Sequence, residues 1–405
     1  MIQLRKKQKS RLFISRIFGF ILGMCLIWAC GEAPQQIETI FEDGNEVILN
    51  HIEPYSLSGE PGTFTCVDEF VIDTEDDSIA GLGLTDIGLI NQSYFDVDSL
   101  GSIYIYCPQD AAHIFFKFDR NGKFIQAFGR KGQGPGEFQG NLYFRIFMNE
   151  GGEEELVVTD PLNNRVSYLR TDGTLIREVR SDSSIFAVHP LGAERFLVYR
   201  KAIDAAEEFL AQQPLSLTGP DFREMVELDR QRIPNPIVGE RLKGIYYIFS
   251  WDAAAGLVFT GFQERGYEIF VYNYDGQMIR KIRKEFTPVP FPEDHKTEFM
   301  SQFEAEMFAP IRKKIYFPDA MPPFLGFFAD ERGFLLVMTY EKGQKPGEYW
   351  YDIFNPDGVF IGRKSLRIYF DEFGVHAKMK NSFLYRVDEK ESGFKRLVVS
   401  RVIWE

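Results

Sequence analysis

One short pattern constrains this chain more than anything else in it: an apolar strand, an Asp or Asn beside a glycine, and a second strand carrying basic residues. It appears as FFKFDRNGKFIQAF (Phe115–Phe128), VSYLRTDGTLIREV (Val166–Val179), IFVYNYDGQMIRKI (Ile269–Ile282) and YDIFNPDGVFIGRK (Tyr351–Lys364). LSLTGPDFREMVEL (Leu215–Leu228) is a weaker copy. An Asx–Gly pair supplies the positive φ of a tight hairpin turn, so each copy predicts two antiparallel strands. The turn glycines Gly122, Gly173, Gly219, Gly276 and Gly358 recur at roughly fifty residues, with one longer interval before the last. Fifty residues hold four short strands and their turns, which is one blade of a β-propeller.

A final unit, Phe383 to Trp404, has hairpin character and ends on a strand. Five turns plus this unit predict an all-β, six-bladed propeller. The last blade is short by one strand, which an N-terminal strand such as Glu69–Ile72 would complete, closing the ring and hiding both edges. The longer interval holds an insertion at about residues 291–312. PVPFP (Pro288–Pro292) breaks the strand pattern, and a helix is predicted from Glu293 to Phe308, with Phe299, Met300, Phe303, Met307 and Phe308 as its apolar stripe. Ala202–Gln212 reads as a second short helix.

The N-terminus is a separate object. Six basic residues between Arg5 and Arg16 precede the short apolar run Ile17–Ala29, which suits a secretory signal better than a membrane span. The run ends in LIWACG and resembles a bacterial lipobox, which would make Cys30 the acylated mature N-terminus and the membrane a partner through its lipid. The organisation expected is therefore a signal peptide over 1–29, a tether over 30–50 and the propeller over 51–405. The net charge of −13 becomes more negative once the basic leader is removed, which argues against nucleic acid as a partner. Cys66 and Cys107 are left either to pair, as an exported chain allows, or to remain separate buried thiols in their apolar strands.

VVTDPLNNRVSYLRTDGTLI (Val157–Ile176) resembles the NHL repeat, and FGRKGQGPGEF (Phe128–Phe138) resembles the glycine-rich linker between NHL blades. With the lipobox, the chain looks like the six-bladed propeller lipoproteins of Bacteroidetes. The resemblance implies fold and an envelope location, and Gly31 after the cysteine, where an Asp would signal retention, favours the outer membrane. The resemblance leaves activity open, because such propellers serve both as binding platforms and as enzymes. From the residues themselves, Asp160 and Arg165 flank a turn and are expected to pair or to bond backbone groups, fixing blade geometry. The glycines of the linker let the backbone cross between blades, while Arg130 and Lys131 are its candidate anion contacts.

Catalytic signatures are thin. The five histidines share no metal-ligand spacing, and His189 is the one expected to open a blade facing the axial channel. Asp73–Asp77 and Glu153–Glu155 lack an EF-hand spacing and read as solvated loops. No metal or cofactor is expected. Two functions follow: an envelope binding or scaffold module for a glycan, peptide or protein, and a lyase or hydrolase with its site in the channel.

Overall fold

The computed structural model describes residues 37–87, 95–108, 112–181, 184–192, 194–201, 209–234, 241–371 and 374–405. Cys30 and the whole predicted leader lie outside them.

The chain is a six-bladed β-propeller in which each blade holds four antiparallel strands, as the spaced turns predict. Blade 1 runs from Phe95–Val97 to Phe124–Phe128, and blade 2 from Tyr143–Met148 to Leu175–Arg180. Blade 3 runs from Ile185–Gly192 to Glu224–Pro234, blade 4 from Phe249–Ala254 to Met278–Lys284, and blade 5 from Gly326–Ala329 to Phe360–Leu366. Blade 6 takes three strands from the C-terminus, Ala377–Lys380, Phe383–Glu389 and Lys395–Trp404. Its outermost strand is Phe64–Asp73, paired antiparallel with Lys395–Trp404 so that Phe64 faces Trp404. The predicted closure is thus made, by a strand longer than Glu69–Ile72. It covers the outer edge of the strand Lys395–Trp404.

Apolar clusters fill the seams between blades. One joins Ile72, Val387 and Leu397 of blade 6 to Val97, Ile103 and Ile105 of blade 1, and another joins Tyr104 and Phe115 of blade 1 to Phe144 and Leu156 of blade 2. The turn glycines belong to these seams. Gly122 (φ 78°) lies on Phe70 of blade 6 and Gly173 (φ 86°) on Phe128 of blade 1, and a Cβ at either would come within 2.5 Å of the ring. Each turn therefore needs glycine twice over, for its left-handed backbone and for the close approach. The weaker third copy solves the turn differently: Phe222, not Gly219, takes the left-handed conformation (φ 59°), and its ring packs edge-on against Phe196.

Four expectations are corrected. Residues 38–50 are not tether: Glu38–Glu42 and Asn45–Asn50 form a hairpin whose second strand runs parallel to Met278–Lys284, widening blade 4 to six strands. The inserted helix is Glu293–Ser301 only, followed by a 3₁₀ turn at Glu306–Phe308 and a short helix at Ala309–Arg312. Pro310 sits at the start of that last helix, where its missing N–H costs nothing; inside one continuous helix it would clash with the preceding turn. Met307 consequently points to solvent, 78% exposed, and leaves the apolar stripe. Of the second predicted helix, residues 209–212 belong to the strand Phe209–Thr218, and the remainder lies outside the described residues.

Cys66 and Cys107 do not pair; both thiols are free. Cys107 is sealed in the seam between blades 6 and 1, whereas Cys66 sits on the outermost strand of blade 6 opposite Val402. Different layers of the ring hold them.

Candidate functional site

The glycine linker folds back on itself. Arg130–Lys131 pairs in parallel with Glu137–Phe138, which brings the Glu137 carboxylate into the loop. Its Oε1 accepts from Arg130 Nε at 2.9 Å and its Oε2 from the Gly134 amide at 2.9 Å. A Cβ on Gly132 would lie 2.1 Å from that carboxylate. The anion this loop cradles is the chain's own. Arg165 straps the loop by donating to the carbonyl oxygens of Gly134 and Glu137, while Asp160 accepts from the amides of Gln139 and Asn163. Both act on backbone groups, as expected. Lys131 is exposed beside Arg130, and neither lines a cavity described below.

The first strands of the blades surround the axis, and between them lies a cavity of about 330 Å³. Two aspartates are pinned here, Asp252 in its wall and Asp96 buried beside the lining residues Phe95 and Lys378. Asp96 of blade 1 is fully buried and accepts from its neighbour's amide at Val97, from the Ile146 amide of blade 2 at 2.8 Å, and from Lys378 of blade 6. Asp252 of blade 4 accepts from the amides of Ala253 and, in blade 5, Ala329, both at 2.8 Å. Each therefore ties its own blade to the next.

Arg145 of blade 2 enters this pocket, its guanidinium 4.6 Å from the Tyr143 ring centroid and donating to the Phe144 carbonyl at 3.0 Å. His189 Nδ1 is 2.9 Å from the Tyr143 hydroxyl, and the Trp251 ring meets the imidazole edge to face. Burial raises the Asp96 carboxyl, but Lys378, Arg145 and the Ile146 amide outweigh it and hold the group below its ordinary value. For Asp252 burial prevails, and its carboxyl is pushed up despite the Ala329 amide and Arg145. Burial, reinforced by Arg145 and Lys378, keeps His189 neutral well below its usual titration. Burial also keeps Tyr143 protonated.

A second, larger cavity of about 1040 Å³ opens where the inter-blade connections of blades 3, 4 and 5 meet under the insertion. Its frame is a two-residue parallel ladder, Leu242–Lys243 with Ile315–Tyr316, which staples the insertion to the segment entering blade 4. Phe299 of the inserted helix is buried against Tyr246, Phe303 and Phe317, with centroids 5.3, 5.4 and 5.9 Å away. The Tyr199 hydroxyl lies 2.9 and 3.0 Å from the side-chain amides of Gln213 and Gln231, and Lys243 donates to the Tyr247 hydroxyl at 2.9 Å. Phe249 lines both cavities. His376, in the wall of the axial pocket, bonds Asp371, in the wall of the larger one, at 2.9 Å.

His189 lies in the wall of the axial pocket. Asp96, Arg145, Ser250, Trp251, Asp252, His376 and Lys378 were not singled out. A signal for part of this set exists in the repeats: YFDVD of blade 1 and SWDAA of blade 4 each place an aspartate in a blade-opening strand. Among the described residues no three His, Cys, Asp or Glu side chains converge in a way that could hold a metal ion.

A family model described as 6-bladed beta-propeller (DUF5128) matches residues 94–238, the stretch that forms blades 1 to 3. No curated protein matches the chain in sequence. Among solved structures, a member of the DUF4221 family from Bacteroides vulgatus is 11% identical with a TM-score of 0.49, covering 85% of this chain and 99% of its own. A luciferin-regenerating enzyme is 11% identical with a TM-score of 0.41, covering 84% and 95%. A calcium-binding regucalcin from Agrobacterium tumefaciens is 9% identical with a TM-score of 0.37, covering 87% and 94%. Likeness at this level says nothing about what this chain binds.

Proposed function

We propose that this protein is a lipid-anchored binding module of the cell envelope that takes a glycan in the cavity beneath the insertion. The observation that supports it is the lining of that cavity: Tyr199, Tyr246, Tyr247 and Tyr316 together with the side-chain amides of Gln213 and Gln231. Aromatic faces stack on the apolar faces of sugar rings, and amides and tyrosine hydroxyls bond their hydroxyl groups. The volume is at the upper end of the range for small-molecule pockets, which suits several sugar rings better than one. The acidic overall charge fits a neutral or cationic ligand better than an anionic polymer. Cys30 would hold the module at the membrane, with the outer membrane as the favoured location.

Calorimetry against xylan, pectin and mucin-type oligosaccharides, with oligolysine and oligoaspartate peptides as rivals, tests the reading. One glycan is expected to bind saturably, and Tyr246→Ala to weaken it about tenfold, equivalent to about 1.4 kcal/mol. Tyr246 is 60% exposed, so its loss leaves the fold intact. Binding of a peptide alone, or glycan binding indifferent to Tyr246→Ala, overturns the glycan assignment.

A lyase or hydrolase in the channel is the second reading, favoured by the upward push on Asp252 beside Arg145. Mass spectrometry of the recovered glycan separates the two, since an enzyme returns it cleaved. The anchor has its own test: Cys30→Ser is expected to move the protein out of the membrane fraction, and acyl labelling that persists in the variant would refute it.

A further inference from the structure

The outer strand of blade 4 is covered, and its counterpart in blade 2 is bare. In blade 4 the hairpin strand Asn45–Asn50 lies parallel to Met278–Lys284, in a ladder that runs from Glu46 opposite Arg280 to Asn50 opposite Lys284. Glu42 of the same hairpin meets Arg283 through both carboxylate oxygens, at 2.8 Å each. A two-point bond of this kind between carboxylate and guanidinium adds attraction and also fixes register.

Blade 2 repeats the covered strand closely. After the turn glycine, blade 4 reads Met278, Ile279, Arg280, Lys281, Ile282, Arg283, and blade 2 reads Leu175, Ile176, Arg177, Glu178, Val179, Arg180. Both strands bulge at the isoleucine: Met278 pairs with Tyr272 and Arg280 with Val271, as Leu175 pairs with Leu169 and Arg177 with Tyr168. No other blade with such a turn has arginine at both places; blade 1 has Gln126 and Gly129, blade 3 Val226 and Asp229, blade 5 Gly362 and Ser365.

The strand Leu175–Arg180 pairs with Arg165–Arg170 on its inner side, and among the described residues no strand pairs with its outer edge. Unpaired edge N–H and C=O groups are a template for a further strand. Ile176 is 41% exposed, whereas Ile361 at the same place in blade 5, next to the Phe360 that Asn50 and Tyr55 bond, is buried. Arg180, in the place of Arg283, is exposed and has no carboxylate partner among the described residues. Glu178, in the place of Lys281, has its charge taken up by Arg165 at 3.3 Å and by the Gly136 amide at 3.2 Å.

We infer that the outer edge of blade 2 is a docking edge for an extended acidic segment of a partner protein. The segment adds as a strand along Arg177–Arg180, parallel as the hairpin is in blade 4, and sets a carboxylate on Arg180. Main-chain bonds to the edge supply affinity, and the arginine selects an acidic sequence in one register. No residue of blade 2 lines the cavity beneath the insertion, so the site is independent of the glycan reading.

The chain's own hairpin is the probe, since blade 4 displays its fit to such a strand. A fluorescent peptide ETIFEDGNEVILN (Glu38–Asn50) is titrated with the mature protein and followed by anisotropy, beside a peptide with Lys in place of every Glu and Asp. The acidic peptide alone is expected to bind saturably and to slow hydrogen exchange within residues 176–181. Arg180→Glu is expected to weaken it tenfold or more. Arg180 is exposed, so the variant should unfold at the parent's midpoint; Arg180→Gln takes its place if the midpoints differ. The inference fails if neither peptide binds up to about 1 mM, the weakest affinity that would count as docking. It fails equally if the basic peptide binds as well, or if Arg180→Glu binds like the parent, which would put the peptide in exchange with the hairpin on blade 4. Self-association of the protein without peptide, abolished by Arg180→Glu, would make a second copy the occupant and overturn the assignment to a partner. A glycan result of either sign leaves these outcomes untouched.

Discussion

The two cavities of this propeller differ in origin and therefore in chemistry. The axial pocket is bounded by strands that every blade must have, so the polar groups there hold the ring: Asp96 and Asp252 each bond an amide of the next blade. The cavity beneath the insertion is walled largely by residues outside the repeat, and Tyr246 in its wall, 60% exposed, is free of that duty. Substitution in the first should disturb stability. In the second, binding should be separable from folding, as Tyr246→Ala is designed to show.

The largest effect that would sharpen this contrast is expected from Asp96→Ala. It leaves Lys378 without its partner and two amides without an acceptor, and should cost about 3 kcal/mol of unfolding free energy in urea. A cost below about 1 kcal/mol, within the range of an ordinary surface change, would mean that the channel aspartates do not tie the blades.

A smaller effect concerns pH. His189 is held neutral in the folded protein well below its usual titration, whereas the unfolded chain takes up a proton near pH 6.5. Its folded value is depressed, so its contribution is present above pH 6.5 and is lost as the pH falls. The loss is about 1.4 kcal/mol per pH unit below that point. Arg145 and Lys378 strengthen the effect and Asp96 opposes it. Asp252, pushed upward, contributes with the opposite sign, present at low pH and lost as pH rises through its folded value. The quantity to measure is therefore the difference between the parent and His189→Asn in urea unfolding at pH 7.5, 6.5 and 5.5. A difference that stays flat would place a charged imidazole in the channel.

The smallest effect is expected at the glycine linker. Arg130 is 71% exposed at the side chain, and its ion pair with Glu137 is one that solvent screens. Arg130→Ala should leave the unfolding midpoint and both binding reactions where they are. A change in ligand binding would revive the linker as an anion site and blur the contrast between the cavities.

The blades themselves were legible because their turns are local. An Asx–Gly pair dictates a left-handed turn within four residues, and the spacing of Gly122, Gly173, Gly276 and Gly358 then counts the sheets. Closure by an N-terminal strand was legible too, since an unpaired edge demands a partner. The inserted helix was placed at its start but overrun at its end, because the aromatic spacing continues past Ser301 while Pro310 forbids one helix through it. Residues 38–50 carried too weak an alternation to show that they add a hairpin to blade 4.

His189 was the channel residue singled out from sequence, because AVHP reads as the opening of a blade. Arg145, Trp251, Asp252 and Lys378 come from three different blades, more than a hundred residues apart at the extremes, and nothing local marks them. The sequence by itself determined the repeat, the blade number and the closing strand, since those follow from turn chemistry and hydrogen-bonded edges acting over short distances. Only the tertiary structure decided what meets at the axis. There the ring brings first strands from across the whole chain within hydrogen-bonding reach and removes the water that would otherwise satisfy them, so a pair such as Asp96 and Lys378 forms only once the ring is closed.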